Sequence, residues 1–241
     1  MRLLVTRAEP DAGREAEALA ARGHLPVLAP LLRIEFTGAV KLPLDGARAL
    51  IATSRNALRA LASHPQRETA LELPLFAVGE GTALEAQALG FTDVTIGPGT
   101  GADLAALIAE EFAPEHGPLV HLAGENLAFD LAAELGEEGF SVLLAVLYRA
   151  VPASEFPAEV ARGLKAGQFD GVILMSPRTA RTFVALYAAL GPLTQDRRPV
   201  CYCLSKAVAD EAVRHGFATR VAARPREEDV LALLDSGAAS S

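Results

Sequence analysis

The chain has 241 residues, of which 51% are apolar and only 5% aromatic, and its formal charge is −8. Such a length suits one large or two small domains, and the aliphatic content excludes a disordered chain. The acidic balance speaks against a nucleic-acid surface; no apolar run is long enough to span a bilayer, and MRLLVTRAEP is too short and interrupted for a secretion signal, so the expected setting is cytoplasmic.

Short β-runs recur along the chain at residues 2–6, 25–29, 49–53, 75–78, 93–96, 118–122, 170–175, 200–204 and 219–222. Helix-patterned segments such as 102–112 and 226–234 lie between them. Gly23, Gly90, Gly139 and Gly216 each follow a last helical turn, where a left-handed cap favours glycine. The alternation predicts an α/β protein with parallel sheets and helices on both faces. Cys201 and Cys203, two apart on one strand, are expected to be buried thiols, since they share a face and cannot form an ordinary disulfide.

The chain also repeats itself. Residues 23–33 (GHLPVLAPLLR) align without a gap on 139–149 (GFSVLLAVLYR), and 76–94 align on 202–220 through shared Ala, Glu, Gly and Phe. The stretches 50-LIATSRNALRAL-61 and 173-ILMSPRTARTFVAL-186 align on Arg55 and Arg178. Two related α/β units follow, each made of two parts. The segments 28–38 and 140–151 are extended for too long to stay within one small sheet, so both are expected to cross between domains. Two crossings make the second domain an insertion in the first. Residues 1–34 and 152–241 then form one domain and residues 38–146 the other. The strands at 35–37 and 147–151 tether them as a two-stranded ladder, and the domains are expected to close on a ligand. Residues 38–146 hold 5 Lys and Arg against 15 Asp and Glu, so the basic side chains concentrate in the outer domain. Strand-end loops facing a cleft between two such domains would suit an anionic ligand.

No Walker loop, His-Glu-x-x-His, Gly-x-Ser-x-Gly or metal-spaced His/Cys set occurs. Gly79-Glu80-Gly81 lacks the third glycine of a dinucleotide loop, and 97-GPGTG-101 lacks a Lys, so both read as turns. His121, within a β-run, reads as a satisfied core residue rather than a base. What remains is a recurring set at strand ends: Thr6-Arg7, Thr53-Ser54-Arg55-Asn56, Ser176-Pro177-Arg178-Thr179 and Ser205-Lys206. Any one hydroxyl there is an ordinary helix cap. Together they mark helix N-termini, whose N–H groups and partial positive charge suit carboxylates. Arg7, Arg178 and Lys206 add cationic side chains at the same ends. Tyr148 ends the long crossing strand, where its repeat counterpart is Leu32; it is either a plain strand tyrosine or a phenol able to give a proton to a leaving hydroxyl.

The order and spacing of these residues resemble the uroporphyrinogen-III synthase family over nearly the whole chain. The likeness is carried by Val5-Thr6-Arg7, Gly23-His24, Thr53-Ser54 with Asn56, Phe76-Ala77-Val78-Gly79 with Thr82-Ala83 and Gly90-Phe91, Leu122-Ala123-Gly124, Tyr148-Arg149, and Ser176 to Arg181 with Phe183. The resemblance implies two α/β domains, the second inserted in the first and joined by two strands. It implies cyclisation of hydroxymethylbilane, a linear tetrapyrrole with eight carboxylates, to uroporphyrinogen III with inversion of ring D and loss of water. No metal or organic cofactor is implied. Tyr148 would be the proton donor; Thr53, Ser54, Val78, Gly79, Ser176 and Ser205 would bind carboxylates, largely through backbone N–H groups. The protein is expected to be a monomer in transient contact with the preceding deaminase. Two departures bear on the carboxylate contacts: Glu125-Asn126-Leu127 stands where many relatives carry an Arg, and Ser205-Lys206 where many carry Thr. The competing expectation is a non-catalytic, hinged two-domain protein that binds an anionic ligand.

Overall fold

A computed structural model describes residues 1–38, 40–193 and 197–235; residue 39 of the inserted domain and residues 194–196 and 236–241 of the outer one lie outside the described residues. The chain divides into two compact units, Met1–Arg33 with Val151–Ser241, and Ile34–Ala150.

In the first unit, the strands β1 (Arg2–Val5), β2 (Leu25–Leu28), β9 (Gly171–Leu174), β10 (Val200–Cys203) and β11 (Thr219–Val221) form one sheet in the order β11-β10-β9-β1-β2. All its pairings are parallel. Helices must therefore cover both faces, and the central strands are apolar and buried, as in Leu3–Val5 and Gly171–Leu174, while the edge strand β11 carries Thr219 and Arg220. Leu4, Val172, Leu174, Cys201 and Cys203 face α7 (Ala158–Lys165), α8 (Pro177–Ala188) and α9 (Lys206–Val213). Leu3, Val5, Ile173 and Tyr202 face α1 (Asp11–Ala21) and α10 (Glu227–Asp235). The two cysteines are free and buried, and burial pushes the Cys203 thiol up to about 12, so both stay protonated packing groups.

The second unit is a six-stranded sheet in the order β3-β8-β7-β4-β5-β6. It comprises β3 (Leu32–Phe36), β4 (Ala49–Ala52), β5 (Leu75–Ala77), β6 (Val94–Ile96), β7 (Leu119–Gly124) and β8 (Val142–Pro152). The pairings from β8 to β6 are parallel. β3 runs antiparallel to β8, since Ala153 N donates to Leu31 O and Thr37 N to Leu147 O, both at 2.9 Å. Leu50, Ala52, Val120, Leu122 and Leu147 face α2 (Arg55–Ala62), α3 (Arg67–Leu71) and α4 (Glu80–Leu89). Ala49, Ile51 and Leu119 face α5 (Gly101–Glu111) and α6 (Leu131–Glu137).

The sequence repeat appears as one topology used twice: β11-β10-β9-β1-β2 in one sheet matches β6-β5-β4-β7-β8 in the other, strand for strand. The four glycines expected as left-handed caps all have positive φ, from 78° to 118°. One expectation needs correction. The segment 28–38 is not a single extended strand; it breaks between β2 and β3 at Pro30, which has no N–H to give to a ladder. The partner crossing, β8, is one strand of 11 residues.

Candidate functional site

Most of the sequence-predicted residues fall at the carboxyl ends of adjacent parallel strands. In the Ile34–Ala150 unit the strand neighbours β7, β4 and β5 end in Gly124, Thr53-Ser54 and Val78-Gly79, whereas Tyr148 does not end β8 as expected: it lies inside that strand, at the last residue paired with β7, because β8 runs on to Pro152 beside β3. Three strand spacings separate β8 from β5, about 14 Å. In the other unit β10, β9 and β1 end in Ser205-Lys206, Ser176 with Arg178, and Thr6-Arg7.

Tyr148 is half-buried and sits against Gly124. The β7–β8 register slips between Ala123 and Gly124, which brings Gly124 opposite Tyr148, and Glu125 N donates to Tyr148 O at 2.8 Å. A Cβ on residue 124 would lie 2.6 Å from Tyr148 Cζ and 3.0 Å from its Oη. Only glycine leaves room for the phenol there. Gly124 closes the Leu122-Ala123-Gly124 motif, and its one signal in the sequence, a glycine ending a β-run, is common to bulges.

The hydroxyls divide into two kinds. Ser54 accepts from Asn56 N at 3.2 Å and caps α2; Ser176 accepts from Thr179 N at 3.1 Å and caps α8. By contrast, α4 begins after Gly79 and α9 after Ser205 with no side-chain cap. Their first-turn N–H groups are the more available donors. The Val78 N–H is already given to Ala52 O at 3.0 Å, so donors in that loop start beyond it. The Gly79 turn is packed closely, as a Cβ there would stand 3.4 Å from Gly99 Cα.

The cationic residues also differ. Arg7 is mostly buried and held by Glu227 at 2.6 Å, Asp11 at 3.4 Å and Glu15 at 3.9 Å, and Asp11 is paired with Arg14 as well. Its charge is thus taken up within its own unit. Lys206 is exposed and bridges both oxygens of Asp210 at 2.8 Å. Arg178, in the first turn of α8, is half-buried, and no ion pair is recorded for its side chain among the described residues.

His121 is not the satisfied core histidine expected from the sequence. It is 1% exposed in β7; its Nε2 lies 3.0 Å from Thr53 Oγ1, while its Nδ1 has no partner among the described residues. Burial lowers its pKa to about 4 against a weaker opposing pull from Asp130, so the ring is neutral at pH 7. Among the described residues no group of three or more His, Cys, Asp or Glu could hold a metal ion, and no helix is long and apolar enough to cross a membrane.

Solved structures with the same architecture were found. A uroporphyrinogen-III synthetase from Helicobacter pylori aligns with a TM-score of 0.67 at 19% identity, covering 98% of each chain. A mutant uroporphyrinogen III synthase from the extreme thermophile Thermus thermophilus aligns with a TM-score of 0.59 at 20% identity, covering 99% of this chain and 97% of that one. At such identities the likeness establishes the fold. Comparison with curated protein sequences returns no match. The family model described as uroporphyrinogen-III synthase HemD matches residues 14–232, nearly the whole chain and both of its units. The chain therefore belongs to the uroporphyrinogen-III synthase family.

Proposed function

We infer that the chain closes hydroxymethylbilane to uroporphyrinogen III, with Tyr148 as the acid that releases water. The observation that carries the role of Tyr148 is its seat on Gly124: a strand bulge and a missing side chain together hold the phenol at the end of a parallel sheet, where ligands of such folds bind. The phenol protonates the departing hydroxyl, which leaves as water, and the pyrrole N–H gives its proton back to the phenolate or to solvent, leaving an azafulvene. The substituted carbon of ring D then attacks it to give a spiro intermediate, which fragments and recloses with ring D inverted. Acid assistance of this kind contributes about 10²–10⁴-fold, and holding the bilane in the inverting conformation supplies much of the rest.

The carboxylates are held by donors at the strand ends. In one unit these are Thr53, Ser54 and the N–H groups that start beyond Val78 at Gly79. In the other they are Ser176, Arg178, Ser205 and Lys206. Arg7, already bound to three carboxylates, acts in this reading as a fixture of its loop rather than a direct ligand. The reading calls on no cofactor and on one copy of the chain, in the cytoplasm, that receives its bilane in transient contact with the deaminase. Family membership leaves the non-catalytic binding reading without a feature in its favour.

The test is an isomer assay. Freshly made hydroxymethylbilane cyclises unaided to the I isomer, so predominance of the III isomer, dependent on this protein, is the expected result. Isomer I alone from folded protein would overturn the reading.

A further inference from the structure

We propose that His121 is a positioning residue: its Nε2–H donates to Thr53 Oγ1 and so turns the Thr53 hydroxyl proton outward, toward a substrate carboxylate. The carboxylate part rests on the functional reading above; the direction of the hydrogen bond does not.

The geometry begins with the sheet. Ile51 in β4 pairs with His121 in β7, and Thr53 lies two residues beyond Ile51 on the same face. The neighbours on that face are Ile51, Leu104, Leu119, Leu131 and Leu135, all buried. Packing alone asks for Leu or Met at position 121. Among the described residues the histidine makes one side-chain hydrogen bond, and that bond goes to the hydroxyl of its unit's candidate ligands that caps no helix.

The unpartnered Nδ1 fixes which way the bond runs. A neutral imidazole carries one N–H. Were Thr53 the donor, the proton would sit on Nδ1, a buried N–H with nothing to receive it, which is rare and costly. With the proton on Nε2, the orphan is only a lone pair. Thr53 Oγ1 then accepts, and its own hydrogen is released to point elsewhere. Thr53 is half-buried, so that hydrogen can reach a ligand. A threonine facing an apolar residue would have no such preference and would spend part of its time turned back onto a backbone carbonyl, as Thr6 does onto Ile173 O at 2.6 Å.

Two measurements decide it. Nitrogen NMR of the imidazole-labelled chain at neutral pH, without substrate, is expected to show His121 protonated at Nε2 and bare at Nδ1; the opposite tautomer overturns the proposal. In steady-state assays, His121→Leu is expected to raise the KM for hydroxymethylbilane about fivefold with kcat little changed, the size of one lost hydrogen bond. His121→Gln, whose amide N–H reaches the Nε2 position, is expected to restore the KM. In a Thr53→Val background, His121→Leu is expected to add nothing, because the effect passes through that hydroxyl. A wild-type KM in His121→Leu, or a further loss in the Thr53→Val background, overturns the proposal. Failure of the wild-type chain to make the III isomer would instead bring down the functional reading and the carboxylate part with it, while the spectrum would still decide the hydrogen bond.

Discussion

Gly124 is the floor on which the Tyr148 phenol rests: the space a Cβ would fill at residue 124 is occupied by Cζ of the tyrosine, 2.6 Å away. Gly124→Ala must therefore push the ring aside. If the phenol is the acid, a displacement near 1 Å costs about 10²-fold in kcat while leaving the fold in place. Isomer-resolved kinetics alongside a thermal melt would check this. An active Gly124→Ala would show that the ring position does not matter.

Tyr148→Phe removes the proton and keeps the ring. Turnover is expected to fall by about 10²–10⁴-fold, with the affinity for uroporphyrinogen III unchanged. Stopped-flow turnover and product titration separate the two quantities. Full activity in this variant would dismiss Tyr148 as the acid.

The buried His121 makes stability depend on pH. Its folded pKa, about 4, lies below the ordinary 6.5. As pH falls below about 6.5 the unfolded imidazole takes up a proton that the folded one refuses, so stability drops until about pH 4 and is then flat with respect to this group. The expected loss across that window is roughly 3 kcal/mol. His121→Leu should flatten this part of the curve in urea titrations taken at several pH values; Asp130, the charged neighbour, stays in both proteins.

Ser176 and Ser205 occupy equivalent strand ends but only one of them caps its helix. Ser176→Ala should lower stability by about 1 kcal/mol, and Ser205→Ala by less than about 0.5 kcal/mol. Denaturant midpoints at constant m-value would show the difference. Any effect of Ser205→Ala on KM would then belong to ligand binding.

Arg7 and Arg178 should separate in the opposite sense. Arg7→Leu leaves Asp11, Glu15 and Glu227 without their shared cation, and Glu15 is buried. A loss of about 3 kcal/mol is expected. Arg178→Ala is expected to leave the melting temperature alone and raise KM. A stable Arg7 variant with a raised KM would restore Arg7 to the list of direct ligands.

The strands were legible because parallel sheets buried on both faces favour continuous apolar runs, and inner strands such as Ala49–Ala52 and Gly171–Leu174 are buried apolar segments of that kind. The doubled topology was legible for the same reason, through the alignment of Gly23 on Gly139 and Arg55 on Arg178. Partnerships across the chain were not. Arg7 and Glu227 are 220 positions apart, and no local pattern announces that one consumes the charge of the other. The role of Gly124 depends on a register slip, which shifts Tyr148 relative to its strand and leaves no periodic trace. His121 sits in an apolar run like any strand residue, and its half-satisfied ring shows only once Thr53 is placed beside it. The break at Pro30 was written in the sequence and outweighed by the length of the extended segment.

The placement of β1 and β2 in a sheet with β9 has a consequence for synthesis on the ribosome. The Ile34–Ala150 unit is contiguous and can complete its sheet as soon as it has emerged. The first two strands to emerge cannot, because β1 needs β9 beside it, and Leu3 pairs with Gly171. At ordinary elongation rates the segment between β2 and β9 takes roughly 7–28 s to make. For that time the N-terminal β-α-β piece keeps one edge of β1 unpaired and the Leu4 face bare, with α1 alone over Leu3 and Val5, and that face is where a chaperone would bind.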